Sequence, residues 1–172
     1  KVYPTSGLLP ENQLKFYIHF SDPMSRGQAY QHVHLLDAAG KEVEMPFLEI
    51  DEELWDPAGM RLTVFFDPGR VKRELRPREE EGPPLVKGKT YSLVIDRRWQ
   101  DAAGNALVRS FRKQFRVGPA DYKPPVPASW KLNSPFAGTR EPLIVRFPEP
   151  LDHALLHRLL WVTDPRGQRL EG

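Results

Sequence analysis

The chain has no cysteine. No disulfide can staple it, no thiol can serve as nucleophile, and no thiolate metal site can form. An oxidising compartment is neither required nor excluded by that absence. A long apolar run is missing too: nothing approaches the roughly 20 residues of a membrane span. Charge of one sign is also absent, with 25 Lys and Arg against 23 Asp and Glu and a net charge of +2. Nucleic acid is therefore not expected as a partner, because phosphate binding concentrates cations on one face. Ser21, Ser25 and Ser110 lack a Gly-x-Ser-x-Gly elbow. The first residues, Lys1-Val2-Tyr3, include neither an initiator Met nor a signal peptide, and read as a mature or trimmed product.

What is present points to short strands. Prolines number 18 in 172 residues and are spread along the chain. That is about twice average usage, and fits strands joined by stiff loops better than disorder. Leu14, Phe16, Ile18 and Phe20 are apolar at every second position, the period of a half-buried strand. Asp22-Pro23 ends it, because Pro23 has no N–H for a ladder. Ser25 is placed to cap a helical turn through Gln31. Val33 and Leu35 continue the alternation, and Asp37-Ala-Ala-Gly40 reads as a turn with Gly40 at positive φ. Lys41 to Ile50 is expected as a strand interrupted by Pro46.

Further along, Asp51 to Gly59 reads as a loop, and Leu62, Val64 and Phe66 share one strand face. The loop 67–89 is long and charged, and its middle has the composition of a short helix that Pro83-Pro84 would stop. Tyr91, Leu93 and Ile95 alternate cleanly. Asp101-Ala-Ala-Gly104-Asn105 repeats the earlier turn chemistry, and Val108 to Val117 is the last strand, with Phe111, Phe115 and Val117 in the core. The expected inward set is Phe16, Ile18, Phe20, Val33, Leu35, Leu62, Val64, Tyr91, Leu93, Ile95, Phe115 and Val117.

Twenty-four residues then return 127 positions later without a gap. Phe20-Ser-Asp-Pro23-Met24, and Val33 through the Asp37-Ala-Ala-Gly40 turn to Val43, match Phe147-Pro-Glu-Pro150-Leu151, and Leu160 through Asp164-Pro-Arg-Gly167 to Leu170. Leu143, Val145 and Phe147 mirror Phe16, Ile18 and Phe20. Asp152 is placed to cap a helical turn carrying Leu155, Leu156, Leu159 and Leu160. An internal repeat signals modules in series. The expected organisation is a sandwich over 1–118, a proline-rich linker over 119–129, and the first half of a second module over 130–172. The second copy stops before any counterpart of Arg61–Phe66, Tyr91–Ile95 or Val108–Val117. So short a segment does not easily bury a core alone. The chain thus reads as a fragment of a longer protein, or as one whose second module something else completes. Self-association through residues 143–162 is one way to cover the exposed strands.

Phe20-Ser-Asp-Pro-Met24, Leu36-Asp-Ala-Ala-Gly40, Gly88-Lys-Thr-Tyr-Ser-Leu-Val-Ile95 and Asp101-Ala-Ala-Gly-Asn105 stand in that order. Together they resemble the bacterial Ig-like domain family of surface-layer and secreted proteins, over roughly Pro4 to Gly118 and, for half a copy, Trp130 to Gly172. The resemblance implies an all-β, antiparallel Ig-like sandwich used as a tandem repeat outside the cytoplasm: periplasmic, on the cell surface or secreted. It supplies no ligand. The 67–89 segment departs from it by being longer than the family's usual connection.

Candidate site residues have plainer explanations beside them. His32 and His34 are read as sharing one strand face and could begin a metal site, with His19 as a third ligand. Leu159 and Trp161 stand at the same places in the second copy, so the fold does not require imidazoles there, and an exposed strand face explains them. Periplasmic copper-resistance sandwiches are similar in the Phe-Ser-x-Pro and Asp-x-x-Gly-Lys turns. Against copper, Asn105 stands where a His ligand belongs in them, and the chain does not start with His. Acidic residues at 49–53 and 79–81 match paired-carboxylate chemistry only in residue type, since charge runs are usually solvated loops. The Asp51–Asp56 loop offers oxygen ligands without EF-hand spacing. The basic stretch Arg70–Arg78 fits a mixed-charge loop as well as an anionic surface. Trp55, Trp99 and Trp130 serve cores and joints as readily as sugar platforms. No catalytic, cofactor or metal residue is assigned, and no cofactor is expected. The expected function is a non-enzymatic spacer, scaffold or interaction module with a protein or cell-envelope polymer as partner. The alternatives are a carbohydrate- or metal-binding sandwich module, or an accessory domain of an extracellular hydrolase.

Overall fold

The computed structural model describes residues 1–71 and 82–170. The short helix expected in the middle of the 67–89 loop falls on 72–81 and lies outside the described residues, as do the carboxylates at 79–81. The chain divides into two compact units, Lys1–Asp121 and Tyr122–Gly172.

The first unit is an all-β sandwich of two four-stranded sheets. One sheet holds β1 (Val2–Tyr3), β3 (Lys15–His19), β6 (Arg61–Phe65) and β5 (Leu54–Trp55) in the order β1-β3-β6-β5, all antiparallel. The other holds β2 (Leu8–Pro10), β8 (Phe111–Gly118), β7 (Thr90–Ile95) and β4 (Val33–Leu36) in the order β2-β8-β7-β4. Its pairs are antiparallel except β2 with β8, which run parallel. β2 is an edge strand, where a proline such as Pro10 is tolerated because its missing N–H faces no ladder partner. Among the described residues of this unit, two single-turn helices interrupt the strands, α1 (Ala29–His32) and α2 (Pro68–Val71).

Period-two alternation decides the core. Phe16 and Ile18 face in from β3 at 0% and 1% exposure and lie opposite Val64 and Leu62. Leu35 and Leu93 pair across the second sheet. The Phe16 ring meets Phe115 at 5.7 Å, which joins the two sheets into one core. Fully burying a side chain of this size contributes about 1.5–3 kcal/mol. Of the expected inward set, all are buried except Phe20, which packs half-buried against the core. Trp99, Phe66, Leu85 and Leu9 join them.

Several local expectations fail. Lys41 to Ile50 forms no continuous strand; it makes isolated bridges, Leu36 with Glu42 and Phe47 with Phe66. Pro46 brings no N–H to a ladder, and Met45 before it turns to φ 38°. Ser25 does not cap α1: its hydroxyl donates to the Gln100 carbonyl, and the Ala29 N–H is taken instead by Glu53 Oε1 at 2.6 Å. The last strand starts at Phe111, not Val108, which is 99% exposed. Phe111 sits opposite Ile95 at the end of the ladder, and its ring is 39% exposed rather than in the core.

Tight turns built on aspartate recur through the chain. Asp37 Oδ1 accepts the N–H groups of Ala39 and Lys41, and Asp101 Oδ1 those of Ala103 and Asn105. Asp164 Oδ1 accepts those of Arg166 and Gln168. Each turn closes through a glycine at positive φ: Gly40 at 81°, Gly104 at 87° and Gly167 at 81°, a conformation that a Cβ disfavours. In the second unit, β9 (Lys131–Asn133) and β10 (Ile144–Arg146) form an antiparallel pair. They are followed by α3 (His153–Leu159), whose first turn Asp152 caps by accepting the Ala154 and Leu155 N–H groups.

Candidate functional site

β4 and the segment after it form one wall of an open groove of about 340 Å³. Val33, Leu35 and Phe47 give it an apolar floor, and Lys41, Glu42, Glu44 and Glu49 a mostly acidic rim. Tyr30 of α1 stands at its side, and burial raises its phenol above the ordinary value, aided by Glu53 and Glu49 and opposed by a hydrogen bond with the Ile50 backbone. Met45, 66% exposed, overhangs the groove. Its left-handed backbone is held from behind. Arg70 is 5% exposed and donates from Nη1 to the Glu44 and Met45 carbonyls at 2.7 and 2.9 Å, and from Nε to the Gly82 carbonyl at 3.0 Å. A guanidinium spreads fixed donors over several acceptors at once, which a point-charge ammonium does not. The described lining contains no Ser, Thr, His or Cys. The groove offers apolar contact below and carboxylates above.

His32 and His34 fall on different elements. α1 continues through His32, so only His34 belongs to the strand. The His32 ring lies nearly parallel to Trp99 (centroids 5.6 Å, planes 17° apart), and its Nδ1 is buried without a hydrogen-bond partner. Burial lowers its pKa below the usual value of 6.5; Asp96 opposes this, and Arg98 and His34 reinforce it. His34 Nδ1 is 2.6 Å from Glu42 Oε1. His19 is in the other sheet, edge-on to Tyr3 at 5.4 Å. Among the described residues no group of three or more His, Cys, Asp or Glu is gathered to hold a metal ion.

Trp55, Trp99 and Trp130 are placed in packing, not on a free platform. Trp99 is fully buried and meets Phe20, Trp55 and His32. Trp55 is half-buried and donates its indole N–H to Glu53 Oε2 at 2.7 Å. Trp130 meets Phe147 edge-on at 4.9 Å in the second unit. In the Asp51–Asp56 loop, both Glu53 oxygens and Asp56 Oδ1 already accept protein N–H groups. The groove was not foreseen from the sequence. Its one local signal is a proline after two acids and a methionine, which any surface loop could carry.

No family model matches the chain, and no curated protein matches it. Among solved structures it is similar to the crystal structure of the S-layer protein rSbsC(31–844), with a TM-score of 0.39 and 21% identity. That similarity covers 92% of this chain and 17% of the S-layer chain. No helix among the described residues is long and apolar enough to cross a membrane.

Proposed function

We propose that this chain is a non-enzymatic structural or interaction module of a secreted or cell-envelope bacterial protein, built from Ig-like sandwiches in tandem. One observation carries the reading: β3, α1 and the bridged Asp37 turn are followed at the repeat offset, in the same order, by β10, α3 and the bridged Asp164 turn. The Leu36–Glu42 bridge is matched by Thr163–Arg169, both partners displaced by the repeat distance. The Asp37 and Asp164 turns around which they close use the same donors and acceptors. A fold reused in series supports a role in spacing or presentation, since such arrays act through their length and surface. The partner class that fits is a protein or an envelope polymer, and the acid-rimmed groove of the first unit is the surface we assign to it.

Cell fractionation tests the reading. Antibody to this chain should find the protein in the envelope or culture fluid of its host, accessible to added protease on intact cells. Recovery in the cytosol, protected from protease, overturns it. Turnover of a glycan or peptide substrate by the purified chain overturns the non-enzymatic part alone.

A further inference from the structure

Entry to the first unit and exit from it share one seam. β2 on the entry side and β8 on the exit side pair in parallel, Leu8 with Arg116, Leu9 with Val117 and Pro10 with Gly118. The Arg116 N–H also donates to the Gly7 carbonyl at 2.8 Å. Side chains lengthen this short ladder at both ends. Before it, Lys113 Nζ donates to the carbonyls of Thr5 at 3.1 Å and Ser6 at 2.7 Å. Burial lowers the Lys113 pKa below its ordinary value, so the ammonium gives up hydration to hold those carbonyls. Beyond the ladder, Asn12 and Asp121 bond reciprocally. The Asn12 amide donates to the Asp121 carbonyl at 2.6 Å, and the Asp121 N–H donates to Asn12 Oδ1 at 2.9 Å. All four side-chain contacts span 107 to 109 positions and so keep the register of the ladder.

Parallel pairing decides how the seam responds to a pull. Asp121 is the last residue of the first unit, and the second unit follows at Tyr122. Tension between the second unit and the N-terminal side of β2 therefore passes through β8. It draws β8 toward its C-terminal end and β2 toward its N-terminal end. Because the strands run the same way, the two pulls are opposed and lie along the strands. Every bond from Thr5–Lys113 to Asn12–Asp121 is then strained at once. Antiparallel terminal strands would be drawn apart from one end, and their bonds would break one after another. β1 adds only a two-residue pair with β3 in the other sheet.

We propose that the first unit is a tension-bearing link, and that the seam between residues 5–12 and 113–121 is the clamp that sets its resistance to force. Lys113 and Asn12 lengthen that clamp beyond the three ladder pairs. Only the source of the tension rests on the envelope reading. The clamp is a property of the first unit, so fractionation and a force measurement fail independently.

The chain has no cysteine, so two introduced cysteines serve as unique handles. In the full 172-residue chain, Lys1→Cys with Tyr122→Cys pulls the seam along its strands. Glu11→Cys with Tyr122→Cys puts both handles at the same end of the seam and peels it. The second unit stays outside the force path in both. At equal constant force, the first unit should last roughly 100-fold or more longer along the first axis, because forced unfolding follows the bonds broken in its barrier. Lys113→Met should shorten that lifetime about tenfold and leave the peeling lifetime within about twofold. Asn12→Ala repeats the test at the other end of the seam if Lys113→Met does not fold, and should also shorten the sheared lifetime about tenfold. Equal lifetimes along the two axes overturn the proposal. So do variants that fold, by urea titration, and keep the parent's lifetime under shear.

Discussion

The Arg70 guanidinium lies 2.9 Å from the carbonyl oxygen of Met45 and donates an N–H to it. Twenty-five positions separate the two residues. The contact explains why a non-glycine residue holds φ 38°, a conformation that costs of order 1–3 kcal/mol and persists only where the surroundings impose it. The buried Arg70 therefore shapes the groove wall from inside the protein.

Arg70→Met should lower unfolding free energy by about 2–4 kcal/mol, because the carbonyls of Glu44, Met45 and Gly82 lose buried donors together. Arg112→Met, on the exposed side of β8, should stay within about 0.5 kcal/mol of the parent. Urea titration of both variants checks this. Equal midpoints for the two would show that the Arg70 contacts do not hold the segment.

Glu53 links α1 to the aromatic cluster, one carboxylate oxygen on the Ala29 N–H and the other on the Trp55 indole. Glu53→Ala should destabilise the fold by about 1–3 kcal/mol, since it leaves a helix N-terminus and a half-buried indole without their acceptor. Trp fluorescence of the native state should also change, because Trp55 loses the group that orients it. Unaltered emission together with unaltered stability would remove Glu53 from this role.

At acid pH the Asp96–Arg98 contact should matter. Three hydrogen bonds from Arg98, two through the guanidinium and one through its backbone N–H, lower the Asp96 carboxyl from 3.8 to about 2. A carboxylate whose folded pKa is depressed stabilises the fold above its unfolded pKa, and that contribution disappears as pH falls toward the folded value. The stability of the parent should therefore drop more steeply between about pH 4 and pH 2 than that of Asp96→Asn. The pair is at the surface, so the difference should be small and should shrink in high salt. Chemical unfolding at several pH values, with and without salt, measures it. Parallel pH curves would refute the assignment.

Much of the fold was legible because it is written at short range. Phe16 with Ile18, Leu62 with Val64 and Leu93 with Ile95 alternate in the sequence as they do in the sheets. The Asp37 and Asp101 turns were legible for the same reason, with the side-chain acceptor and the glycine three residues later both local. Non-local features were hidden. Nothing near Ser25 says that Glu53 will take the helix N-terminus, and nothing near Met45 says that Arg70, inside a charged run, will be buried behind it. The parallel pairing of β2 with β8 depends on contacts across the whole unit, beyond any turn signal. The spacing of His32 and His34 suggests a shared strand face, but their environments come from Trp99 and Glu42, and spacing alone does not show that α1 reaches His32.

His32 supplies the remaining prediction, at milder pH. Its ring is stacked on the fully buried Trp99, and Nδ1 is shut away from water and from any protein acceptor. Burial, the largest effect, lowers its pKa below 6.5; Arg98 and His34 act in the same sense, and Asp96 opposes them. The unfolded chain therefore binds a proton at a higher pH than the folded one. Stability rises with pH wherever the unfolded state holds more protons, so the fold should lose stability as pH falls below about 6.5. The loss should stop once pH has passed the folded pKa. Replacing the ring with one that cannot titrate removes this dependence, and His32→Phe keeps an aromatic face for Trp99. Between pH 7 and pH 5, the parent should become less stable while His32→Phe changes less. His34→Phe, which removes the His34–Glu42 contact instead, should retain the parent's slope from His32. Denaturant titrations of the three proteins across that range decide the matter. A His32→Phe curve with the parent's slope would place the titrating group elsewhere.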